Sequence, residues 1–175
     1  IKGLAEPLGN YFGAWADTPK AAITVEHLLT VKTGLELLGD EDGDGVPDGG
    51  DLYLAADQVA LSLSRELIGT PGEQLHIYSN SDVMLAGELV RQATGQSPAE
   101  YWNNGIANKL GITSAWWTDE SGQVLSYCCL DATPRDFAKF GLLYAREGLW
   151  QDQQVISADW ISHSTQPAKN GTYGY

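Results

Sequence analysis

The sequence is poor in cysteine, methionine and basic side chains. Its 175 residues include two Cys, one Met and 10 Lys plus Arg against 23 Asp plus Glu, which gives a formal net charge of −13 at pH 7. Nucleic acids and anionic membranes are therefore unfavourable partners, because their phosphates repel an acidic surface. The sequence also lacks a run of about 18 apolar residues, so we expect no membrane span.

The few cysteine and histidine residues do not form a metal-binding pattern. Cys128 and Cys129 are adjacent, and a bridge between neighbours requires a very tight loop, so we expect two buried thiols. They provide neither a disulfide framework nor a cysteine zinc site. His27, His76 and His163 do not show the H-E-x-x-H spacing of a zinc enzyme, and no G-x-S-x-G elbow occurs.

Apolar and aromatic residues are plentiful, and their spacing predicts a helix-rich chain. The sequence is 43% hydrophobic with six Trp and eight Tyr, enough for a substantial core. We expect packed irregular segments over residues 1–22, a helix over about 53–68, and a clear helix over 83–93 that Gly95 ends. Further helices are expected to begin after the capping residues Thr24, Ser97, Thr133 and Ser157. Because the chain begins with Ile1 and its last residues resemble the start of a strand, we expect residues 1–175 to be one partial domain, truncated at both ends.

An acidic, glycine-rich segment at residues 40–51 has the spacing of a calcium loop. It reads DEDGDGVPDGGD, and alternate oxygen ligands allow one turn of chain to surround a hard cation. The predicted ligands of this inserted loop are Asp40, Asp42, Asp44, Val46 through its carbonyl, Asp48, and Asp51 at the twelfth position. We expect a structural calcium ion that neutralises the five close carboxylates, although Asp51 stands where a longer Glu is usual. The alternative is a solvated acidic loop without a metal.

Several short segments, in one order along the chain, carry a resemblance to a known family. Residues 23–30 (ITVEHLLT) and 33–35 (TGL) resemble the "ITIRHLLTHTSGL" stretch of the class C β-lactamase-like serine hydrolases. Residues 78–80 (YSN) look like their Y-x-N motif, and residues 129–141 (CLDATPRDFAKFG) are similar to their "GLxATxRDxARFG" helix. Family VIII carboxylesterases and nylon-oligomer hydrolases are the relatives that these segments resemble most.

The resemblance implies a fold and two site residues. The family pairs an α/β domain with a mostly helical domain, so this chain would be a mostly α fragment, the helical domain, of an α/β serine β-lactamase/DD-peptidase-like fold. Tyr78 would be the general base or acid for the nucleophilic serine, and Asn80 would hold the substrate carbonyl or amide. A phenol is a weak base near its free pKa of about 10, so a nearby lysine charge must favour the phenolate.

The rest of the family's active site is not found in the sequence. No Ser has Lys three residues later, so the S-x-x-K nucleophile is expected upstream of Ile1. The K-T-G letters at residues 32–34 precede Y-x-N and align with the family's T-S-G-L, so they are not its C-terminal strand motif. We expect that strand to follow Tyr175, and we expect residues 1–175 alone to be inactive.

These features predict part of a serine hydrolase acting on a small ester or amide through an acyl-enzyme, without a catalytic cofactor. The alternatives are a calcium-binding module without catalysis and a catalytically dead homologue that binds a ligand. The acidic composition and the calcium loop together favour a periplasmic or extracellular setting. Trp116 and Trp117 are candidates for either a pocket rim or the core, and Asp136 is expected to stabilise a helix N-terminus.

Overall fold

Short helices joined by irregular segments make up most of the chain. A computed structural model describes residues 1–38, 49–73 and 78–167. In these ranges there are seven α-helices and four short strands. The helices are α1 (Val25–Leu29), α2 (Gln58–Ser64), α3 (Asn80–Thr94), α4 (Pro98–Trp102), α5 (Asn108–Leu110), α6 (Pro134–Ala145) and α7 (Ala158–Ser164). The strands are β1 (Ser114–Trp116), β2 (Leu130–Ala132), β3 (Leu149–Trp150) and β4 (Gln153–Gln154).

The N-terminal 22 residues are packed and irregular, as the sequence predicted. They form three single-turn 3₁₀ segments, Leu8–Asn10, Gly13–Trp15 and Pro19–Ala22. Trp15 is buried, and its indole Nε1 donates to the carbonyl of Leu63 over 2.9 Å. This segment therefore packs against the end of α2 and contributes to a core whose members are Leu8, Phe12, Trp15, Ile23, Val25, Leu28, Leu35, Leu85 and Leu89.

The predicted helix starts are confirmed because each depends on a local side chain. The hydroxyl groups of Thr24, Ser97, Thr133 and Ser157 each accept a hydrogen bond from the backbone N–H three residues later. These bonds satisfy amide groups that have no partner inside the helix. Glu100 completes a capping box by accepting from the Ser97 amide over 2.8 Å.

Helix α3 is the longest helix in the described residues, and it begins three residues earlier than predicted. Ser79 is its N-cap, with the hydroxyl accepting from the Asp82 amide over 3.2 Å. Gly95 ends the helix in the left-handed conformation, at φ 72°. The buried side chains of Leu85 and Leu89 pack into the N-terminal core and fix α3 there.

The prediction of one helix over about residues 53–68 is wrong. A 3₁₀ segment covers Gly50–Leu54, and α2 covers only Gln58–Ser64. Asp57 caps α2 by accepting from the Ala60 amide over 2.8 Å. The Gln58 amide donates to the Asp119 carboxylate over 2.9 Å, so a distant residue also helps to start α2.

The C-terminal half is built on a second core. Strands β1 and β2 pair antiparallel, with Ser114 opposite Ala132, and β3 pairs with β4 in a tight hairpin. Residues Ala107, Leu110, Ile112 and Leu143 form the buried centre of this half. No helix in the described ranges is both long and apolar enough to cross a bilayer.

The expectation of two free thiols is also wrong. Cys128 and Cys129 are joined by a disulfide in the loop that leads into β2. Cys129 has a positive φ of 70°, and both residues pack beside a third core group, Val59, Met84 and Leu125. Neighbouring cysteines rarely bridge because the ring is tight, and here the ring is closed with Cys129 in the left-handed region.

Candidate active site

Tyr78 and Asn80 lie on either side of the residue that caps α3. Ser79 is buried and holds the helix N-terminus, so the two side chains of the Y-x-N motif flank a fixed point. Tyr78 is 38% exposed, and Asn80 is half-buried. Both are therefore open to a small molecule while their backbone is anchored, which is the arrangement a binding residue needs.

Asn80 contacts a tyrosine that the sequence did not single out. Its Nδ2 donates to the hydroxyl of Tyr53 over 2.7 Å. The ring of Tyr53 packs edge-on against that of Tyr127, with 5.9 Å between centroids. Burial raises the pKa of Tyr127, and a hydrogen bond to Gln58 lowers it in part. Tyr53 and Tyr127 are distant from Asn80 in sequence and reach α3 only in the folded chain. No motif or spacing in the sequence therefore indicated them.

A buried carboxylate joins two of the segments that carry the family resemblance. The hydroxyl of Thr33 donates to the two carboxylate oxygens of Asp82 over 2.8 and 2.9 Å. The Ser79 hydroxyl lies 3.3 Å from the same carboxylate. Desolvation raises the pKa of Asp82 to about 6, while the hydrogen bonds from Thr33 and Ser79 oppose that rise. The residues 33–35 segment is thus fastened to the first turn of α3, directly beside Tyr78 and Asn80.

The predicted calcium ligands are only partly covered by the structure. Asp40, Asp42, Asp44, Val46 and Asp48 lie outside the described residues. The Asp51 carboxylate accepts two hydrogen bonds from the Arg65 guanidinium, each of 2.8 Å. Arg65 is 1% exposed and also reaches the Ser81 hydroxyl over 3.3 Å. A bound calcium ion would have to share Asp51 with this arginine, so calcium at this loop stays a prediction.

The other titratable candidates do not form a metal centre in the residues described. No group of three or more His, Cys, Asp or Glu side chains comes together within those ranges. His76 lies outside them. His27 instead takes part in the capping of α1, where its Nδ1 accepts from the Thr24 amide over 3.3 Å.

The Trp116–Trp117 pair divides between a cavity and the surface. Trp116 lines an apolar cavity of about 280 Å³ together with Trp102, Phe137 and Phe140. Trp117 is exposed, and its indole Nε1 donates to Asp131 over 2.8 Å. Trp116 therefore lines a pocket, as one of the two expectations proposed. Neither tryptophan is fully buried in a core.

Asp136 has a structural role in the described contacts. Its carboxylate accepts from Lys139 and from the Thr133 hydroxyl, each over 2.7 Å. These hydrogen bonds hold the pKa of Asp136 below its ordinary value. The residue thus stabilises the first turn of α6, as its position in the sequence predicted.

Several solved structures have the same fold as this chain. A candidate 6-aminohexanoate-dimer hydrolase from Bacillus anthracis superposes with a TM-score of 0.81 at 22% identity, over 95% of this chain and 47% of that one. A penicillin-binding protein from Bacillus halodurans gives 0.70 at 18% identity, over 99% and 61%. Simvastatin synthase (LovD) from Aspergillus terreus gives 0.66 at 18%, over 94% and 51%.

Two facts follow from these comparisons. The chain spans about half the length of these three structures, from 47% to 61% of each. The similarity is nonetheless spread along the whole chain, and the family model for Beta-lactamase matches residues 3–175. A match of that extent places this helix-rich chain, with its Y-x-N motif at the start of α3, as a member of the Beta-lactamase family.

Proposed function

We propose that this chain supplies Tyr78 and Asn80 to the active site of a serine hydrolase whose nucleophilic serine lies outside residues 1–175. The observation that supports this most is the position of the Y-x-N motif. Its two functional side chains flank the buried cap of α3 and remain accessible, while the Asp82–Thr33 hydrogen bonds fix the backbone beside them.

In the proposed reaction, Tyr78 accepts the proton of the serine hydroxyl as the serine oxygen attacks the substrate carbonyl. The tetrahedral intermediate collapses, the leaving group takes a proton, and an acyl-serine remains. Water then attacks the acyl carbon and regenerates the serine. Tyr78 serves as the base only if a neighbouring cation favours its phenolate, because its free pKa of about 10 is too high for neutral pH.

Asn80 is proposed to hold the substrate. Its amide can donate to a carbonyl oxygen and accept from an amide N–H. The hydrogen bond from its Nδ2 to Tyr53 leaves the Oδ1 side of the amide as an acceptor and fixes the plane of the group. Such fixing lowers the entropy lost when the substrate is oriented for attack.

We propose small esters or amides as the substrate class. We expect these to be hydrolysed in preference to β-lactams. This order rests on the resemblance to family VIII carboxylesterases and nylon-oligomer hydrolases. The similarity to the Bacillus anthracis protein, described as a 6-aminohexanoate-dimer hydrolase, agrees with an amide as one member of the class.

A single substitution tests the role of Tyr78. In the full-length protein, Tyr78→Phe removes only the phenolic oxygen, and we expect kcat for a chromogenic short-chain ester to fall by about 10²- to 10⁴-fold. The matched control is Tyr101→Phe, since Tyr101 is an exposed residue of α4. Turnover retained in Tyr78→Phe would remove this residue from the mechanism.

A further inference from the structure

The Cys128–Cys129 disulfide lies on the surface of the loop that approaches the candidate active site. Both residues are half-buried, so each keeps part of its surface in contact with solvent. In the described residues no cysteine is left as a free thiol. The bond closes a ring between neighbouring residues, which restricts the backbone there more directly than a bridge across a long loop does.

Cys129 takes part in the backbone hydrogen bonds that hold this loop. The carbonyl of Cys129 accepts from the Trp117 amide over 3.0 Å, and the Leu125 amide donates to the Trp117 carbonyl over 3.0 Å. Cys129 occupies the left-handed region at φ 70°, which L-residues avoid because their Cβ approaches the following carbonyl oxygen. Without the ring, the chain loses a constraint that holds Cys129 in this conformation.

The same loop carries an aromatic contact to the site. Tyr127 directly precedes the disulfide, and its ring packs on Tyr53, the residue whose hydroxyl accepts from Asn80. The cysteines also pack against the core group that includes Met84, which stands one turn after Asn80 on α3. Two short routes thus connect the disulfide with Asn80, one through the tyrosines and one through the helix.

We propose that Cys128–Cys129 is a reversible redox site that controls the position of Tyr127 and, through Tyr53, of Asn80. In the reduction, a dithiol gives two electrons and two protons to the S–S bond. The products are two cysteine thiols and the cyclic disulfide of the reductant. The inference rests on the proposed function for its effect on turnover, whereas the redox change and the loop movement do not depend on it.

The first measurement establishes the modification itself. The full-length protein, purified in air, is unfolded and alkylated with N-ethylmaleimide before and after treatment with dithiothreitol. We expect the peptide that contains residues 128 and 129 to carry no adduct before reduction and two adducts after it. Alkylation of both cysteines in the untreated protein would overturn the proposal.

The second measurement follows the loop without using activity. Reduction should speed hydrogen exchange of the Trp117 and Cys128 amides, which are bonded within the loop, and of residues 78–84. Helix α6 provides an internal control, because it packs in the second core. Unchanged exchange at Trp117, or a change that does not reach residues 78–84, would contradict the coupling to the site.

The third measurement links the redox state to turnover. Reduction should lower kcat/KM for the short-chain ester on the order of tenfold, since a small displacement of a positioning group is costly. Reoxidation should restore it, and the Cys128→Ala/Cys129→Ala variant should not respond to dithiothreitol. Equal turnover in both redox states overturns the control of Asn80. Absence of turnover in both states refutes the proposed function instead, and hydrogen exchange then decides the redox inference.

Discussion

At the scale of single residues, Asp82 is a carboxylate with a strongly perturbed environment. It is almost completely buried at the start of α3, and only hydroxyl and backbone groups contact its carboxylate in the described contacts. Hydroxyl donors offset part of the cost of burying a charge, but they do not replace a cation. The pKa of Asp82 is therefore raised to about 6, because part of the free-energy cost of burying its charge is not offset.

Asp82 therefore predicts a particular dependence of stability on pH. Its pKa rises from 3.8 to about 6 on folding, so the folded state binds more protons between these values. The contribution of Asp82 to stability must then fall as pH rises through this window, by up to about 3 kcal/mol. In Asp82→Asn this fall should be absent, because the amide keeps an acceptor for Thr33 and does not titrate.

Chemical unfolding at several pH values from 4 to 7 checks this prediction. Asp17→Asn is the control, since Asp17 is an exposed carboxylate. The difference in unfolding free energy between wild type and Asp82→Asn should change with pH, and the corresponding difference for Asp17→Asn should stay nearly constant. Parallel pH profiles for wild type and Asp82→Asn would show that Asp82 is not the group responsible.

Only part of the candidate site could be predicted from the sequence. Tyr78 and Asn80 belong to one short motif, so their proximity needs no knowledge of the fold. Tyr53 lies 27 positions from Asn80 and meets it only because the 3₁₀ segment Gly50–Leu54 returns to the start of α3. Contacts of this kind depend on tertiary packing, and a single sequence carries no local signal for them.

At the scale of elements, α3 lies very close to the loop that precedes the disulfide. A Cβ at Gly87 would lie 1.8 Å from the Ser126 Oγ and 2.8 Å from its Cβ. Gly87 is thus required by the close approach between helix and loop rather than by its backbone conformation. This contact helps to hold the loop that carries Tyr127 against α3.

Gly87→Ala and Gly141→Ala should have opposite effects. Alanine at position 87 should destabilise the protein by about 1–3 kcal/mol, because overpacking outweighs the better helix propensity. Gly141 in α6 has no neighbour within 4 Å of an added Cβ. Its replacement should therefore stabilise the protein by about 0.5–1 kcal/mol. Thermal unfolding of both variants measures this, and effects of the same sign would contradict the close approach at Gly87.

Element boundaries were predictable where they depended on residues close in sequence. The caps at Ser97 and Thr133 act on amides three residues away, so their chemistry is visible in the sequence. The break in the predicted 53–68 helix had one local signal, because the Asp57 cap acts on the Ala60 amide three residues away. Its other cause was not visible in the sequence, because the Gln58 amide is satisfied by Asp119, 61 residues later. The disulfide was missed for a related reason, since a positive φ at Cys129 is not encoded by its residue type.

At the scale of the whole molecule, negative charge is abundant, and much of it lies in one short segment of the sequence. The net charge of −13 includes five aspartates within residues 40–51. Repulsion among them opposes a closed loop unless a cation compensates it. Arg65 already compensates Asp51, which leaves four aspartates of the predicted set outside the described residues.

We predict that this loop takes up calcium, with the remaining aspartates as its main ligands. Calorimetry of the full-length protein should show calcium binding at millimolar concentration or below, and Asp44→Asn should weaken it. Asp17→Asn reduces the net charge equally and should leave binding unchanged. The absence of calcium uptake at millimolar concentration, or equal effects of the two substitutions, would favour a solvated acidic loop.

The chain spans about half of its structural relatives, so we propose that it carries only part of an active site. The chain belongs to the Beta-lactamase family, and the accessible Y-x-N motif supports the proposed role of Tyr78. The proposed nucleophile is a serine outside residues 1–175, so its identification is a sharper test than any substitution within those residues.

The decisive measurement is the mass of the full-length protein quenched during turnover of a slowly hydrolysed ester. We expect one acyl adduct, on the serine of an S-x-x-K sequence outside residues 1–175, that accumulates with the burst of released alcohol. Absence of an adduct, or an adduct on a side chain within residues 1–175, would contradict the proposed serine hydrolase mechanism.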